Sequence, residues 1–338
     1  MLQLNGQAGG GQMLRTALSL SMATGQPFRM TGIRAGRPRP GLMRQHLTCV
    51  KAAVEVSGGC ADGAEPGSTE IVFRPGQVAG GDYQFAIGTA GSTTLLLQTL
   101  LPAFWNARVA ARLRLEGGTH NPMAPPAEFI DWVWRPLVAR MGADFHFHLV
   151  ETGFAPAGGG VIEVAVPVRE KRSRLDLTER GGMVESRLVV RRRGLNEAIG
   201  ERLLAAAGDG LGWTEREHIA LNRGPGQGII GQAVVRHQEV AEIATVFGEQ
   251  GVSSETLGQR LAKIMRDYLG SQVPVGRCLA DQLLLPMALA AGGRFVTMNP
   301  DDHFQTNAQV IRRFLEVAIE TTRLPDGRWM VVVGQGRE

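Results

Sequence analysis

One pattern is written three times along this chain, and it limits the fold more than any other feature. Each copy opens on Gly/Ala-rich residues and an apolar helix that carries a glutamine. These stretches are GGGQMLRTALSLSMATG (9–25), GTAGSTTLLLQTLLPAF (88–104) and GRCLADQLLLPMALAAGG (276–293). A short strand and a loop with Pro or Asn lead to a second, amphipathic helix in each copy, at 41–58, 126–142 and 306–320. In the middle one, Phe129, Trp132, Val133, Leu137 and Val138 recur at three- and four-residue steps, which places them on one helix face. Strand-like runs follow the second helices at 68–73, 145–150 and 329–334. The spans from Gln12 to Gly41, Gln98 to Pro126 and Gln282 to Thr306 are similar in length. The pattern predicts an α/β (α+β) fold of three repeated βαβα-type units, each with paired helices on one face of a small sheet. A pseudo-threefold axis would let each helix pair bury its apolar face against its neighbours.

The segment between the second and third copies has a different texture. A charged strand and a helix are expected over 181–210, strands over 227–249 and a helix over 253–272. We read residues 180–270 as a smaller inserted αβ domain, and 1–179 plus 271–338 as the main domain. At 43% hydrophobic and 20% charged residues, the composition excludes a disordered chain. No apolar run is long enough to span a bilayer, so no membrane partner is expected. The first residues lack the basic-then-apolar order of an export signal. Cys49, Cys60 and Cys278 form no CxxC pair, which argues against structural zinc and fits a reducing, cytoplasmic setting.

The net charge of +4 points mildly to an anionic partner. Lysine occurs only at Lys51, Lys171 and Lys263, so arginine carries nearly all the basic charge, and its planar fork suits phosphate. Five clusters are candidates for chemistry. Gly9–Gln12 runs into a helix bearing Arg15; glycines there admit a phosphate to the helix N-terminus, although such a turn is as often only structural. The loop GIRAGRPRPGLMRQH (32–46) confines Arg34, Arg37, Arg39 and Arg44 between prolines and glycines, as a phosphate clamp would, or as a solvated face. GGTHNPMAPPAEF (117–129) is a stiff turn into a helix, where Pro125 and Phe129 would offer flat walls to a purine. In CLADQLLLPMALA (278–290), Asp281 is a helix cap or a ribose or metal contact. In NPDDHFQTN (299–307), a loop before a helix, His303 follows two aspartates and is the histidine best placed as a nucleophile. His46, His120, His146, His148, His218 and His237 lack such a setting.

Taken together, GGGQMLRTALSLSMATGQPF, GIRAGRPRPGLMRQHLT, FAIGTAGSTTLLLQTLLPA, GGTHNPMAPP, FAPAGGG, CLADQLLLPMALA and HFQTN resemble the RNA 3'-terminal phosphate cyclase family in order and spacing. The resemblance covers nearly the whole chain and is weakest over 175–275. It implies the same fold, three repeated αβ units with an insert. It implies that His303 attacks the α-phosphate of ATP to form a histidine–AMP adduct, that AMP passes to an RNA 3'-phosphate, and that the vicinal 2'-hydroxyl closes the 2',3'-cyclic phosphate. It also implies roles by position. Gln98, Cys278, Leu279, Ala280, Asp281 and Gln282 would hold the nucleotide, and Pro125 and Phe129 would line its base. Arg15, Arg34, Arg37, Arg44 and Gln45 would face phosphates. ATP, an RNA with a 3'-phosphate and Mg2+ or Mn2+ are the implied ligands; a homodimer is left open.

Two departures from the family pattern stand out. The family's acidic opening is shortened here to LNGQAGGGQ, with Asn5 and Ala8 where acids are expected and no carboxylate before Glu55. The position at which the family's Glu would hold the metal is therefore Ala8, which leaves the metal ligand unknown, with Asp281 a candidate. Cys278 stands where an aromatic residue is usual, which implies weaker base stacking. The rival reading is a catalytically silent, RNA-binding or ribosome-assembly relative, which the missing acids favour and the intact HFQTN and CLADQ oppose. A more distant rival, an enolpyruvyl transferase, shares repeated αβ units but lacks its signatures here.

Overall fold

The computed structural model describes residues 1–335. Its first strand, β1 (Leu2–Asn5), runs parallel to β2 (Phe28–Thr31), and a parallel pair needs a crossover, which α1 (Gly11–Thr24) supplies. After α2 (Arg44–Ser57) come β3 (Cys60–Asp62) and β4 (Ile71–Arg74), giving the order β1-β2-β4-β3 with the last two pairings antiparallel. The chain then repeats this plan. β5 (Gly81–Ala86), α3 (Thr93–Ala107) and β6 (Ala111–Gly117) make the parallel pair. The second helix of this copy has three parts: α4 (Ala127–Phe129), a π-helical turn (Ile130–Trp134) and α5 (Arg135–Arg140). β7 (His146–Glu151) and β8 (Gly160–Val166) complete the order β5-β6-β8-β7.

The third sheet starts with β9 (Leu175–Leu177) and is interrupted at once. β10 (Met183–Arg193), α6 (Glu197–Leu211), β11 (Arg216–Ala220), β12 (Gly228–His237), β13 (Ala241–Phe247) and α7 (Ser254–Ser271) build a separate sheet of order β11-β10-β12-β13. The chain returns through α8 (Arg277–Leu289), β14 (Gly293–Thr297), α9 (Asp302–Phe314), β15 (Val317–Arg323) and β16 (Trp329–Gln335). β14 pairs in parallel with β9, so the third sheet reads β9-β14-β16-β15, the same order and pairing senses as the first two. The result is a mixed α/β molecule of four small four-stranded sheets. No helix among the described residues is long and apolar enough to cross a membrane.

α1 is the helix that the others surround. Its buried residues run from Met13 and Leu14 through Thr16–Met22 on nearly every side, because α2, α3 and α9 all pack on it. Its hydroxyls are satisfied: Ser19 Oγ donates to the Thr99 carbonyl at 2.7 Å and Thr16 Oγ1 to Asn307 Oδ1 at 2.8 Å. Gly25 ends it in the left-handed region, at φ 72°. One face of the inserted sheet packs with α6 and α7 in a second core, where Leu188, Val190, Leu203, Leu261 and Met265 are buried with Val296 of β14; Val189, Val234, Val240 and Ile243 join the main core.

Two expectations need correction. The last amphipathic helix ends at Phe314 rather than at residue 320, and residues 317–323 are β15. The β-branched Val317, Ile319, Thr321 and Thr322 pack better on a pleated surface, and β16 supplies them with a hydrogen-bonding partner. The same helix begins at Asp302, capped by Asp301 Oδ1 accepting from the Phe304 N–H at 3.0 Å. His303 therefore sits in its first turn, not in a loop.

Candidate functional site

The glutamine that recurs in the three apolar helices marks where those helices converge. Gln98 on α3 donates through Nε2 to Gln282 Oε1 on α8 at 2.6 Å, and Trp134 Nε1 donates to the Gln282 carbonyl at 3.0 Å. Gln12 on α1 donates through Nε2 to Asp281 Oδ2 at 2.5 Å. Asp281 is in the second turn of α8, beyond capping reach; Gly276 is the N-cap, so the reading of Asp281 as a cap is corrected. Its other oxygen accepts from Asn307 Nδ2 at 2.8 Å, and Asn307 is held in turn by Thr16. Burial and the neighbouring Asp301 push Asp281 up to about 7, against Asn307, Arg15 and Gln12, which favour its charged form.

This chain of contacts reaches His303. The Gln12 amide uses its nitrogen on Asp281, so its oxygen faces His303 Nδ1 at 2.7 Å and accepts a hydrogen bond from the Nδ1–H. The tautomer follows from that contact: Nδ1 carries the hydrogen and Nε2 keeps the lone pair. The imidazole is exposed on the first turn of α9. Its orientation is thus set by α1, 291 residues away along the chain, and through Gln12 by Asp281 on α8.

The glycine turn and the arginine loop lie beside this relay. A Cβ at Gly10 would lie 3.1 Å from Arg37 Nη2, so the exposed Arg37 guanidinium covers the start of α1. Arg34 turns inward: Nη1 donates to the carbonyls of Arg39 and Gly41, both at 2.8 Å, and so shapes the loop. Gly41 is required there, at φ 79° and with a Cβ position only 2.2 Å from the Gly67 oxygen. Arg44 is exposed on the first turn of α2, and Gln45 packs where a Cβ at Gly91 would be, 2.9 Å from its own Cβ. Arg15 is half-buried; burial lowers its pKa, and Cys49 and Asp281 act the other way.

His46, set aside from the sequence, belongs to this cluster, which corrects that reading. Its ring is 2% exposed, its Nδ1 accepts the Met43 N–H at 3.1 Å, and a Cβ at Gly11 would fall 2.2 Å from its Nε2. Burial, then Arg15 and Arg34, push it down to about 3, so the ring is neutral and Nε2–H is a donor at the glycine turn. Thr16 was missed as a support of the site, and no local signal marks it. Gln12 stood out as a repeated residue in the glycine turn and Asn307 as a polar neighbour of His303, but neither with its partner.

The remaining residues fall around the same helices. Cys278 is exposed on the first turn of α8, whereas Leu279 and Ala280 are buried. The Pro125 carbonyl accepts from Thr94 Oγ1 on α3 at 2.7 Å, and Pro125 is half-buried. Phe129 is only 4% exposed and packs in the main core, so it backs the turn rather than presenting an open face. Ala8 is exposed, and the nearby Asn5 Oδ1 accepts from the Gln7 N–H at 3.0 Å. Among the described residues, the one group of three close metal-ligating side chains is Glu197 and Glu201 on α6 with His218 on β11.

The fold and this cluster define a mixed α/β protein whose polar side chains gather at the N-termini of α1, α2, α8 and α9, a setting suited to phosphate groups. Comparison with known families identifies it further. The model of the RNA 3'-terminal phosphate cyclase family matches residues 7–321, and the chain belongs to that family.

Proposed function

We propose that the protein is an active RNA 3'-terminal phosphate cyclase that uses ATP and works through a covalent adduct on His303. The observation that carries this reading is the Asp281–Gln12–His303 relay, which leaves Nε2 unprotonated on an exposed ring. In the first step Nε2 attacks the α-phosphorus of ATP; the N–P bond forms, the bond to the β-phosphate oxygen breaks, and pyrophosphate leaves. In the second, an oxygen of the RNA 3'-phosphate displaces His303 from that phosphorus, giving a mixed anhydride. In the third, the 2'-hydroxyl attacks the activated RNA phosphorus, its proton goes to solvent and AMP departs. That ring closure is favoured because the hydroxyl is already vicinal to its target.

The glycine turn, Arg37, Arg44, Gln45 and the His46 Nε2–H would receive phosphates. Gln98, Gln282, Cys278 and Pro125 would hold the nucleoside. The three sheets of common strand order support a pseudo-threefold main domain, residues 1–179 plus 271–338, with 180–270 as the insert. Free Cys49, Cys60 and Cys278 fit a cytoplasmic setting. A divalent ion fits poorly at the glycine turn: Ala8 offers no side-chain oxygen, and both Asp281 oxygens already accept hydrogen bonds. We therefore assign the ion to the ATP phosphates and derive no step through a protein-held metal.

The missing acids at Asn5 and Ala8 favour a second reading, a silent relative that binds RNA without catalysis. Incubation with ATP labelled at the α-phosphate separates the two. The cyclase reading expects acid-labile, alkali-stable label on the wild-type chain and none on His303→Ala. An unlabelled wild-type protein supports the silent reading, and a labelled Ala variant removes His303 as the nucleophile.

A further inference from the structure

The insert packs on the main body through Val189, Val234, Val240 and Ile243, and Arg193 reaches Glu151 and the Thr152 carbonyl at 2.7 and 2.8 Å. Two further polar contacts end on elements that bound the site. The first is at Glu128, in the opening turn of α4 and 4% exposed. Its carboxylate meets His120 Nε2 at 2.8 Å, and from the insert Gln232 Nε2 at 3.2 Å and Arg191 Nε at 3.3 Å. Arg191 Nη1 also donates to Gln232 Oε1 at 2.7 Å, and Arg187 and Arg191 lie over the Trp132 ring at 4.9 and 5.8 Å. Thr119 Oγ1 accepts the Gly153 N–H at 2.9 Å and lies 2.8 Å from His120 Nδ1, which leaves Nε2–H for Glu128.

These bonds pin one end of the turn His120–Pro125, and Thr94 pins the other through the Pro125 carbonyl. Between them Met123 is held at φ 66° with 86% of its surface exposed. A non-glycine residue keeps that conformation only where its surroundings hold it.

The second contact is at Glu242 on β13, 7% exposed. Its Oε2 accepts from the Gly276 N–H at 3.1 Å and its Oε1 from the Ile243 N–H at 3.2 Å. Gly276 is the N-cap of α8, and its own N–H, a donor with no partner inside the helix, is satisfied from the insert. The fit is close: a Cβ at residue 276 would fall 2.1 Å from Glu242 Oε2. The helix fixed in this way carries Cys278, Asp281 and Gln282.

We propose that the insert is a brace for the nucleotide site, with Arg191 and Gln232 positioning the 118–126 turn through Glu128 and Glu242 positioning α8 through Gly276. The proposal rests on the reading that ATP binds between these two elements. Arg191 and Glu242 are positioning residues that never touch the nucleotide. A brace predicts a specific pattern. Arg191 variants should weaken ATP binding while the chemistry on His303 proceeds at its usual rate, and Glu242 variants, which loosen the helix carrying Asp281, should weaken binding and also slow that step.

The experiment uses the full chain as wild type, Arg191→Met, Glu242→Leu and the milder Arg191→Lys, Gln232→Leu and Glu242→Gln. Two quantities are read: amide hydrogen exchange by peptide, and the ATP concentration giving half-maximal self-labelling with the rate at saturation. Arg191→Met should speed exchange within 118–126, and Glu242→Leu within 276–282. Half-saturation should rise about three- to tenfold in each, the effect of losing roughly one hydrogen bond's support. The saturating rate should stay within about twofold for the Arg191 variants, and the Arg191→Lys and Glu242→Gln variants should retain part of what the harsher changes lose.

If Arg191→Met or Glu242→Leu prevents folding, the milder variants carry the same comparison. Unchanged exchange in both segments of folded variants overturns the brace. So does faster exchange with unchanged half-saturation, which would make these contacts supports of the fold alone. A wild-type chain that takes up no label overturns instead the reading of the site, and with it the nucleotide part of this proposal.

Discussion

Replacing Gln12 by leucine removes the central link of the relay while conserving most of its volume. Two contacts go: the 2.5 Å bond to Asp281 and the 2.7 Å bond from His303. As Nε2 bonds to phosphorus, positive charge develops on the imidazole, so the bond from Nδ1–H to Gln12 Oε1 becomes charge-assisted at that moment. A charge-assisted bond is worth about 1.5–3 kcal/mol, which corresponds to roughly tenfold to a hundredfold in rate. The loss should fall on the rate of His303 labelling in a single turnover with α-labelled ATP, and half-saturation should not move. Labelling at the wild-type rate would show that nothing needs to orient the ring. An effect confined to half-saturation would make Gln12 a nucleotide ligand. Gln12→Glu is the informative partner: it keeps an acceptor for Nδ1 but sets two carboxylates side by side, which must share a proton. Its activity should survive at low pH and fade as the pH rises.

Arg37→Ala should leave self-labelling nearly intact and slow AMP transfer to RNA roughly ten- to a hundredfold, with only partial rescue by lysine; blocked labelling would assign the loop to ATP instead. Ala8→Glu should lower the magnesium or manganese needed for labelling, because a carboxylate is a hard oxygen ligand; an unchanged metal titration would place the ion elsewhere. Burial pushes Glu242 up to about 7, against the Ile243 and Gly276 N–H groups, which favour its charged form. The folded protein therefore keeps a proton that the unfolded chain has released, and stability should fall by about 3 kcal/mol as the pH rises from about 4.5 to about 7. Glu128 acts in the opposite sense. Burial works to raise its pKa, but His120 and Arg191 outweigh that and hold it near 2, so its contribution is present above about 4.5 and is lost as the pH falls toward 2. Urea unfolding across this range should show a flatter slope between pH 5 and 7 for Glu242→Gln; an unchanged slope refutes the assignment.

The parts of the fold that could be read in the sequence were those set by local periodicity. The apolar helices were legible because α1 and α3 are buried on most sides, which keeps their sequences almost free of charge. The end of α9 was not, because LEVAIE satisfies a helical period as well as a strand's, and only the pairing of β15 with β16 decides between them. His303 was legible because its aspartates and helix start adjoin it. Gln12 was visible as a repeat but not as the residue that sets a tautomer, since its two partners lie 269 and 291 residues away. His46 and Glu128 were opaque for the same reason: their settings come from Gly11 and Arg15 in one case and from β10 and β12 in the other.

The interruption of the third sheet has a consequence for the order of assembly during synthesis. β9 must wait for β14, and Leu175 pairs with Gly293 only after the whole insert has been made. The first two sheets are built from strands close in sequence and can form as the chain emerges, whereas the third is held open. Both ends of the insert lie along one strand: Leu177 pairs with Phe295, and Val275 bridges Thr297. Once its own core has formed, the insert brings β9 and the start of α8 together, and a loop of nearly a hundred residues becomes a short closure. A ribosome-stalled chain ending shortly before β14 lacks only Val296 among the buried residues of the insert's core, so it should present a largely folded insert beside an unpaired β9 edge, the state most exposed to pairing with another copy.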